Sequence, residues 1–329
     1  MGNKMGKPLL SVCMSNYNYS RFIGEALEAI LTQSYPPDEL VIVDDCSTDS
    51  SVEIIESYIK KHPNVRLIRN EKNMGVTYTV KRSLMEAKYD YIHSTASDDI
   101  VLPGFYEESM KMLLKYPEAG LCCSDTVAVI LDEKMKDNHR RFIRLNLGSE
   151  PTYFTPPETL CLMRRRAYTP VMGNTAIFKR SAISDAGWYP PELKWSHDAF
   201  PQEVIIFRYG FCYIPKVMSM QRTHSKQYSK GITPGKEERE VIRRTLQLVT
   251  SGKYDDVLPA FKQTASFSCF PWEVLMVVLK EEKYRDFLTF KLVKFALIDK
   301  FIKRTIKLIL PRAAVSFLVN ASQRLKGRK

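Results

Sequence analysis

Leu40-Val41-Ile42-Val43-Asp44-Asp45-Cys46-Ser47-Thr48-Asp49 is the stretch on which the fold turns. Its apolar run has the length and β-branched character of a buried strand, and a pair of acids closes it. Tyr89-Asp90-Tyr91-Ile92-His93 repeats the device, with Asp98-Asp99 following. In an open α/β sheet, ligands bind outside the carboxyl ends of the strands. Acids emerging there are placed to meet a ligand or a metal rather than to pack. Four such carboxylates repel one another unless a cation or a polar ligand joins them.

Working outward, the first 125 residues alternate between two periodicities. Leu9–Met14, Leu40–Val43, Val65–Ile68, Tyr89–His93 and Gly120–Ser124 read as strands. Between them, Ser20–Ser34 carries Phe22, Ile23, Ala26, Leu27, Ile30 and Leu31 at helical spacing. Asp49 is a good N-cap for a helix through Lys60; Thr77–Ala87 and a segment from Pro103-Gly104 to about Tyr116 supply two more. This pitch predicts an α/β fold, a mainly parallel sheet with helices on both faces. Residues 132–170 look irregular and charged, and apolar patterning resumes from Gly173 to about Met220. From Lys236 the pattern becomes helical and basic, so we expect a catalytic domain over 8–235 and a helical extension over 236–329.

Composition is that of an ordinary globular protein, with 44% apolar and 26% charged residues. The net charge of +12 is lopsided: residues 236–329 hold 20 Lys and Arg against 10 acids, the remainder 29 against 27. The basic character therefore describes an attachment surface. Without an aromatic-interleaved basic motif, nucleic acid is not an expected partner. Seven cysteines with no CxxC spacing predict free, mostly buried thiols and a reducing cytoplasm. No cleavable leader is read before the first strand, Gly6 is wrong for myristoylation at Gly2, and no apolar run is long enough to span a bilayer.

Five short motifs stand in order: Ser11-Val12-Cys13-Met14-Ser15-Asn16-Tyr17-Asn18, Val41–Asp49, Ala96-Ser97-Asp98-Asp99, Gly173-Asn174 with Trp195-Ser196-His197-Asp198, and Gln221-Arg222-Thr223-His224. Together they resemble glycosyltransferase family 2, the inverting enzymes of the GT-A fold, over roughly residues 8–230. The resemblance implies a Rossmann-like mixed sheet and transfer of a sugar from a nucleoside diphosphate to an acceptor hydroxyl. A UDP-sugar is the expected donor, and surface polysaccharide or glycoconjugate synthesis the expected setting.

Each motif is chemically compatible with that reading. Ser15 and Tyr17 offer a hydroxyl and an aromatic face for a base and ribose edge. An acid ending strand two can accept from a pyrimidine N–H or a ribose hydroxyl; the family uses the second of the pair, hence Asp45, while Asp44 supports the turn. Asp49 is read as a helix cap. The family's Asp-x-Asp becomes Ala96-Ser97-Asp98, so its first acid is missing; Ser97 is assigned to the nucleotide and Asp98 to the metal, with Asp99 in support. Hard oxygen ligands with open positions suit Mg²⁺ or Mn²⁺, which would neutralise a departing diphosphate.

Asp198 occupies the place of the family's general base, and an acceptor hydroxyl needs one because its pKa lies far above 7. The alternative for Asp198 is a helix N-cap. His197 replaces the usual Glu, either tuning Asp198 or merely flanking it; Trp195 either stacks on the acceptor or sits at the rim. Arg222 and His224 match the family's Arg-x-His element and would hold the diphosphate. Gly173-Asn174 resembles an acceptor-side loop. A sugar-phosphate nucleotidyltransferase is disfavoured, because Ser15–Ser20 contains neither Gly nor a cation. Ala96 and His197 leave one alternative: a catalytically impaired nucleotide-sugar-binding relative.

At the C-terminus, Leu288, Leu292, Phe295, Ile298, Ile302, Ile306 and Ile309 step by three or four, interleaved with Lys and Arg. This reads either as a membrane-surface helix at the inner face of the plasma membrane, suited to a lipid-linked sugar acceptor, or as a helix packed on the protein.

Overall fold

The computed structural model describes residues 8–131, 139–166, 171, 173–224 and 235–309. The readings made of the amino-terminal residues and of the end of the extension lie outside these. Two compact units are formed, one from residues 1–156 with 171–231, the other from 157–170 with 232–329.

The first unit is built on β1 (Leu10–Asn16), α1 (Ser20–Leu31), β2 (Glu39–Asp44), α2 (Ser51–Ile59), β3 (Val65–Arg69), α3 (Val76–Met85) and β4 (Tyr91–Ala96). It continues through β5 (Ile100–Val101), α4 (Phe105–Lys115), β6 (Leu121–Ile130), β7 (His139–Ile143) and β8 (Thr152–Phe154). After α5 (Pro156–Arg165), β9 (Ile177–Lys179), α6 (Arg180–Asp185), α7 (Ala199–Tyr209) and β10 (Phe211–Thr223) complete it. The sheet order is β3-β2-β1-β4-β9-β6-β10-β5, with β7 on β6 and β8 on β10.

β1, β2, β3 and β4 are parallel, as are β6 and β10; β9 runs antiparallel between β4 and β6. The result is the mixed, mainly parallel sheet of a GT-A fold. The alternation is dictated by burial. Every residue of β1 and β2 is buried, the continuous apolar signature of central parallel strands. α1 buries Phe22, Ile23, Ala26, Leu27 and Ile30, one face of a 3.6-residue period.

The chain leaves β1 in one direction for β2 and β3, then returns to β4 on its other side. That reversal is a topological switch point, where parallel sheets open a crevice at their carboxyl ends. β4 reaches Ala96, three residues beyond the expected strand end, and the Ser97 N–H donates to the Ser15 carbonyl at 3.3 Å. Asp99 is thereby carried to that crevice, with Asp98 buried beside it. The stretch 132–170, read as irregular, contains β7, β8 and α5 among its described residues. Thr152–Phe154 is only part-buried along its length, so it lacks the alternation by which a strand is found in sequence.

The second unit contains α8 (Lys236–Val249), α9 (Leu258–Thr264), α10 (Pro271–Lys280) and α11 (Phe290–Ile309), together with most of α5. Phe261 and Phe267 stack at 5.6 Å, Phe267 meets Phe287 edge-on at 5.1 Å, and Arg239 and Arg243 pair with Glu273 and Glu281. The expected apolar stripe of the last helix divides: Leu292 is buried with Ala296, whereas Leu288 and Ile298 face outward. Among the described residues no helix is long and apolar enough to cross a membrane. All seven cysteines are free, and Cys13, Cys122, Cys123 and Cys212 are buried.

Candidate active site

A cleft of about 200 Å³ lies at the switch point, lined by Ser15, Val76, Val80, Ser94, Thr95, Ala96, Asp99, Gly173, Asn174, Tyr189, His197, Asp198 and Gln221. Residues from four of the five sequence motifs converge there, and the Val41–Asp49 stretch supplies none. The two acid pairs do not share one fate. Asp44 accepts from the Asn16 amide at 2.8 Å, the Ser47 hydroxyl at 2.6 Å and the Ser47 N–H at 2.9 Å, which ties β1 to the turn after β2. Asp45 takes the Asn70 amide at 2.7 Å and the Met74 and Gly75 N–H groups at 2.8 Å each. Its carboxylate holds the turn that starts α3, and it does not line the cleft. Asp49 accepts from the Ser20 and Ser51 N–H groups, holding the first turns of α1 and α2 with one side chain.

Asp98 and Asp99 are both buried. Asp98 Oδ2 lies 3.1 Å from His224 Nε2, just past β10, and Tyr19 also reaches Asp98. Asp99 accepts from the Asn174 amide at 2.9 Å and the Arg222 N–H at 3.3 Å. The Arg222 guanidinium donates to the Asp98 carbonyl at 3.3 Å, pairs with Glu25, and sits 5.1 Å from the Phe22 ring centre. His224 is packed between Tyr19 and Phe22, at 5.5 and 5.3 Å. Burial pushes both carboxyls upward, and for Asp99 the neighbouring Asp98 adds to it. Two desolvated like charges are an unbalanced arrangement that a cation would relieve.

The donor set fits a divalent ion: adjacent carboxylates with an imidazole already against one of them. Among the described residues no three His, Cys, Asp or Glu side chains close around one point. Asp98 and Asp99 could hold an ion of the Mg²⁺ type, which takes one or two carboxylates and completes its shell from substrate phosphates.

Asp198 stands at the N-cap position of α7, yet its side chain makes no capping hydrogen bond. It turns instead to Gly173: a Cβ there would lie 3.1 Å from Asp198 Oδ2. Glycine is what lets the backbone and this carboxylate approach so closely. The turn leading to Asp198 holds Lys194 at φ 50°, ψ −122°, a costly conformation for a non-glycine residue. His197 Nδ1 donates to the Lys194 carbonyl. Its ring packs edge-on against Tyr189 at 5.3 Å.

Other expected residues lie further out. Tyr17 is 42% exposed at the end of β1, while Ser97 is fully buried; neither lines the cleft, nor does Trp195. Several contributors carry no sequence signal. His93 is a fully buried strand residue whose ring faces the Tyr106 hydroxyl at 3.1 Å and the Asn174 carbonyl at 3.3 Å. Burial pushes it down to about 4, so it is neutral, donating from Nε2 to Asn174 and accepting at Nδ1 from Tyr106. It anchors the Gly173-Asn174 turn from beneath.

A mixed sheet with its cleft at the β1/β4 reversal and buried acids after β4 defines a GT-A-type protein. The chain belongs to glycosyl transferase family 2, whose family model matches residues 11–184. It is 24% identical over 216 residues to poly-beta-1,6-N-acetyl-D-glucosamine synthase of Staphylococcus epidermidis, covering 64% of this chain and 48% of that protein. The chain spans less than half the length of several curated relatives that it matches. In fold it resembles S. aureus TarS 1–349 in complex with UDP-GlcNAc, with a TM-score of 0.58, 19% identity and coverage of 85% and 79% of the two chains. It also resembles the mannosyltransferase PcManGT from Pyrobaculum calidifontis in complex with GDP-Man and Mn²⁺, with a TM-score of 0.56, 18% identity and coverage of 98% and 86%.

Proposed function

We propose that the chain is a metal-dependent inverting glycosyltransferase, moving a sugar from a nucleoside diphosphate to an acceptor hydroxyl in polysaccharide or glycoconjugate synthesis. The observation that carries this reading is the Asp198 carboxylate, uncapped, in the same cleft as Asp99. A base there faces a sugar whose diphosphate lies toward β4, so attack comes from the side opposite the leaving group and inverts the anomeric carbon. Asp198 takes the acceptor proton as the new bond forms. Ser15 and Tyr17 border the nucleoside, with Asp45 and Ser97 holding the turn and the strand end beside it. Arg222 and His224 keep Asp98 and Asp99 in place and bring positive charge and N–H donors to the diphosphate side. Asp98 would hold Mn²⁺ or Mg²⁺ with Asp99 in support; when bound, the ion offsets charge on the departing diphosphate.

A thermal-shift series of nucleoside diphosphates with Mn²⁺ tests the donor side. One diphosphate, UDP by expectation, should raise the melting temperature only when the metal is present. No response to any nucleotide would end the reading.

We further propose peripheral contact with the inner face of the plasma membrane through α11, which suits a lipid-linked acceptor. Phe290, Leu297 and Phe301 are 85%, 54% and 71% exposed and share one face with Lys294, opposite the buried Leu292 and Ala296. Such a basic, apolar face partitions into anionic interfaces. Replacing all three with Ser should abolish co-sedimentation with phosphatidylglycerol vesicles; retained binding would clear α11 of the role.

A further inference from the structure

His93 is an ionisable residue with no exposure at all, set on β4 between Val12 of β1 and Ile177 of β9. Its ring packs edge-on against Phe105 at 5.1 Å and Tyr106 at 5.5 Å, both on α4. An apolar side chain would fill such a place with nothing polar to satisfy, whereas an imidazole there needs a partner for each nitrogen. Both nitrogens have one. The Asn174 carbonyl, 3.3 Å from Nε2, can only accept, so Nε2 carries the proton. Nδ1 is then the acceptor for the Tyr106 hydroxyl at 3.1 Å. Burial pushes the ring down to about 4, which keeps it neutral, and in this tautomer, near neutral pH.

What the ring holds lies between two carboxylates of the cleft. Gly173–Thr175 make a short turn leading into β9, closed by the Ala176 N–H on the Gly173 carbonyl at 3.2 Å. The Asn174 amide donates to Asp99 at 2.9 Å. Gly173 backs Asp198, whose Oδ2 would lie 3.1 Å from a Cβ placed there. One turn therefore touches both acids, and its carbonyl is fastened to the sheet by His93. We infer that His93 is a positioning residue for sugar transfer: by tying the Gly173-Asn174 turn to β4, it sets the separation of Asp99 and Asp198. The role rests on the transferase reading above. A reacting group misplaced by about 1 Å can cost about 10²-fold in rate, so a single tether matters.

The test sets His93→Gln against the double variant His93→Met with Tyr106→Phe. The Gln amide nitrogen reaches the place of Nε2 and still donates to Asn174. The double variant removes both ends of the Nδ1 contact and leaves an apolar pair, an exchange that is nearly neutral for stability. It should melt close to wild type. Release of nucleoside diphosphate, with water as acceptor, is followed with Mn²⁺ over a panel of uridine, guanosine and thymidine diphosphate sugars. The double variant should lose about 10–10²-fold in kcat at unchanged affinity for the bare diphosphate, and His93→Gln should stay within about threefold of wild type. A merely structural histidine would instead give wild-type kcat in a double variant that melts normally. That result overturns the inference, as does a loss of diphosphate affinity in step with rate, or His93→Gln no faster than the double variant. A nitrogen-15 NMR spectrum of the wild type reads the tether without activity: His93 should be neutral with its proton on Nε2, and a proton on Nδ1 would break it. Should wild type release no diphosphate from any donor, the transferase reading falls and takes the tether with it; an active wild type beside an unimpaired double variant sinks the tether alone.

Discussion

Asp198→Asn is expected to lower sugar transfer about 10²–10⁴-fold, the contribution of a positioned general base, while nucleotide affinity and melting temperature stay at wild-type values. The amide has the same size as the carboxylate, so the contact with Gly173 is kept. What is lost is the capacity to take a proton. The outcome also separates the two roles open to this residue. Asn is as good an N-cap as Asp, and the Asp198 side chain caps nothing in the fold. A purely structural Asp198 would therefore tolerate the change. Steady-state rates beside a nucleotide titration measure both arms, and unimpaired turnover would remove Asp198 from the mechanism.

Asp98→Asn should differ from Asp198→Asn in losing the metal-dependent response to nucleotide as well as transfer. Asp98 and Asp99 are buried neighbours, and burial disfavours charge on both. Exchanging one carboxylate for an amide relieves that repulsion and weakens the contact with His224, so the metal-free variant should melt close to wild type near neutral pH. The Mn²⁺-dependent rise in melting temperature with nucleoside diphosphate should vanish, and transfer should fall about 10²-fold or more. Excess EDTA should reproduce that loss in the wild type. Full activity in EDTA, or an undiminished Mn²⁺ response in the variant, would take the metal away from Asp98.

Much of the fold around the cleft was legible because its elements announce themselves locally. Leu40–Val43 is apolar at every position and ends on acids, and a central parallel strand can be read from four residues. Ser20–Leu31 shows its helical period just as openly. The antiparallel β9 does not: three residues between β4 and β6 carry no mark of direction. β8 escapes because it is only part-buried. Asp45 shows the limit for single residues. Its position after β2 was plain, but not that Asn70, Met74 and Gly75 would occupy its oxygens.

The residue order by itself determined the alternation of strand and helix, the acids that follow β2 and β4, the motif order of the family, and the basic excess of the final segment. These are patterns over a few neighbouring positions, and burial periodicity writes them into the chain. Only the tertiary structure decided that His224 meets Asp98 across 126 positions and that Gly173 leaves room for the Asp198 carboxylate. Such contacts depend on which strand ends and turns are brought to one crevice, and no local pattern carries that distance.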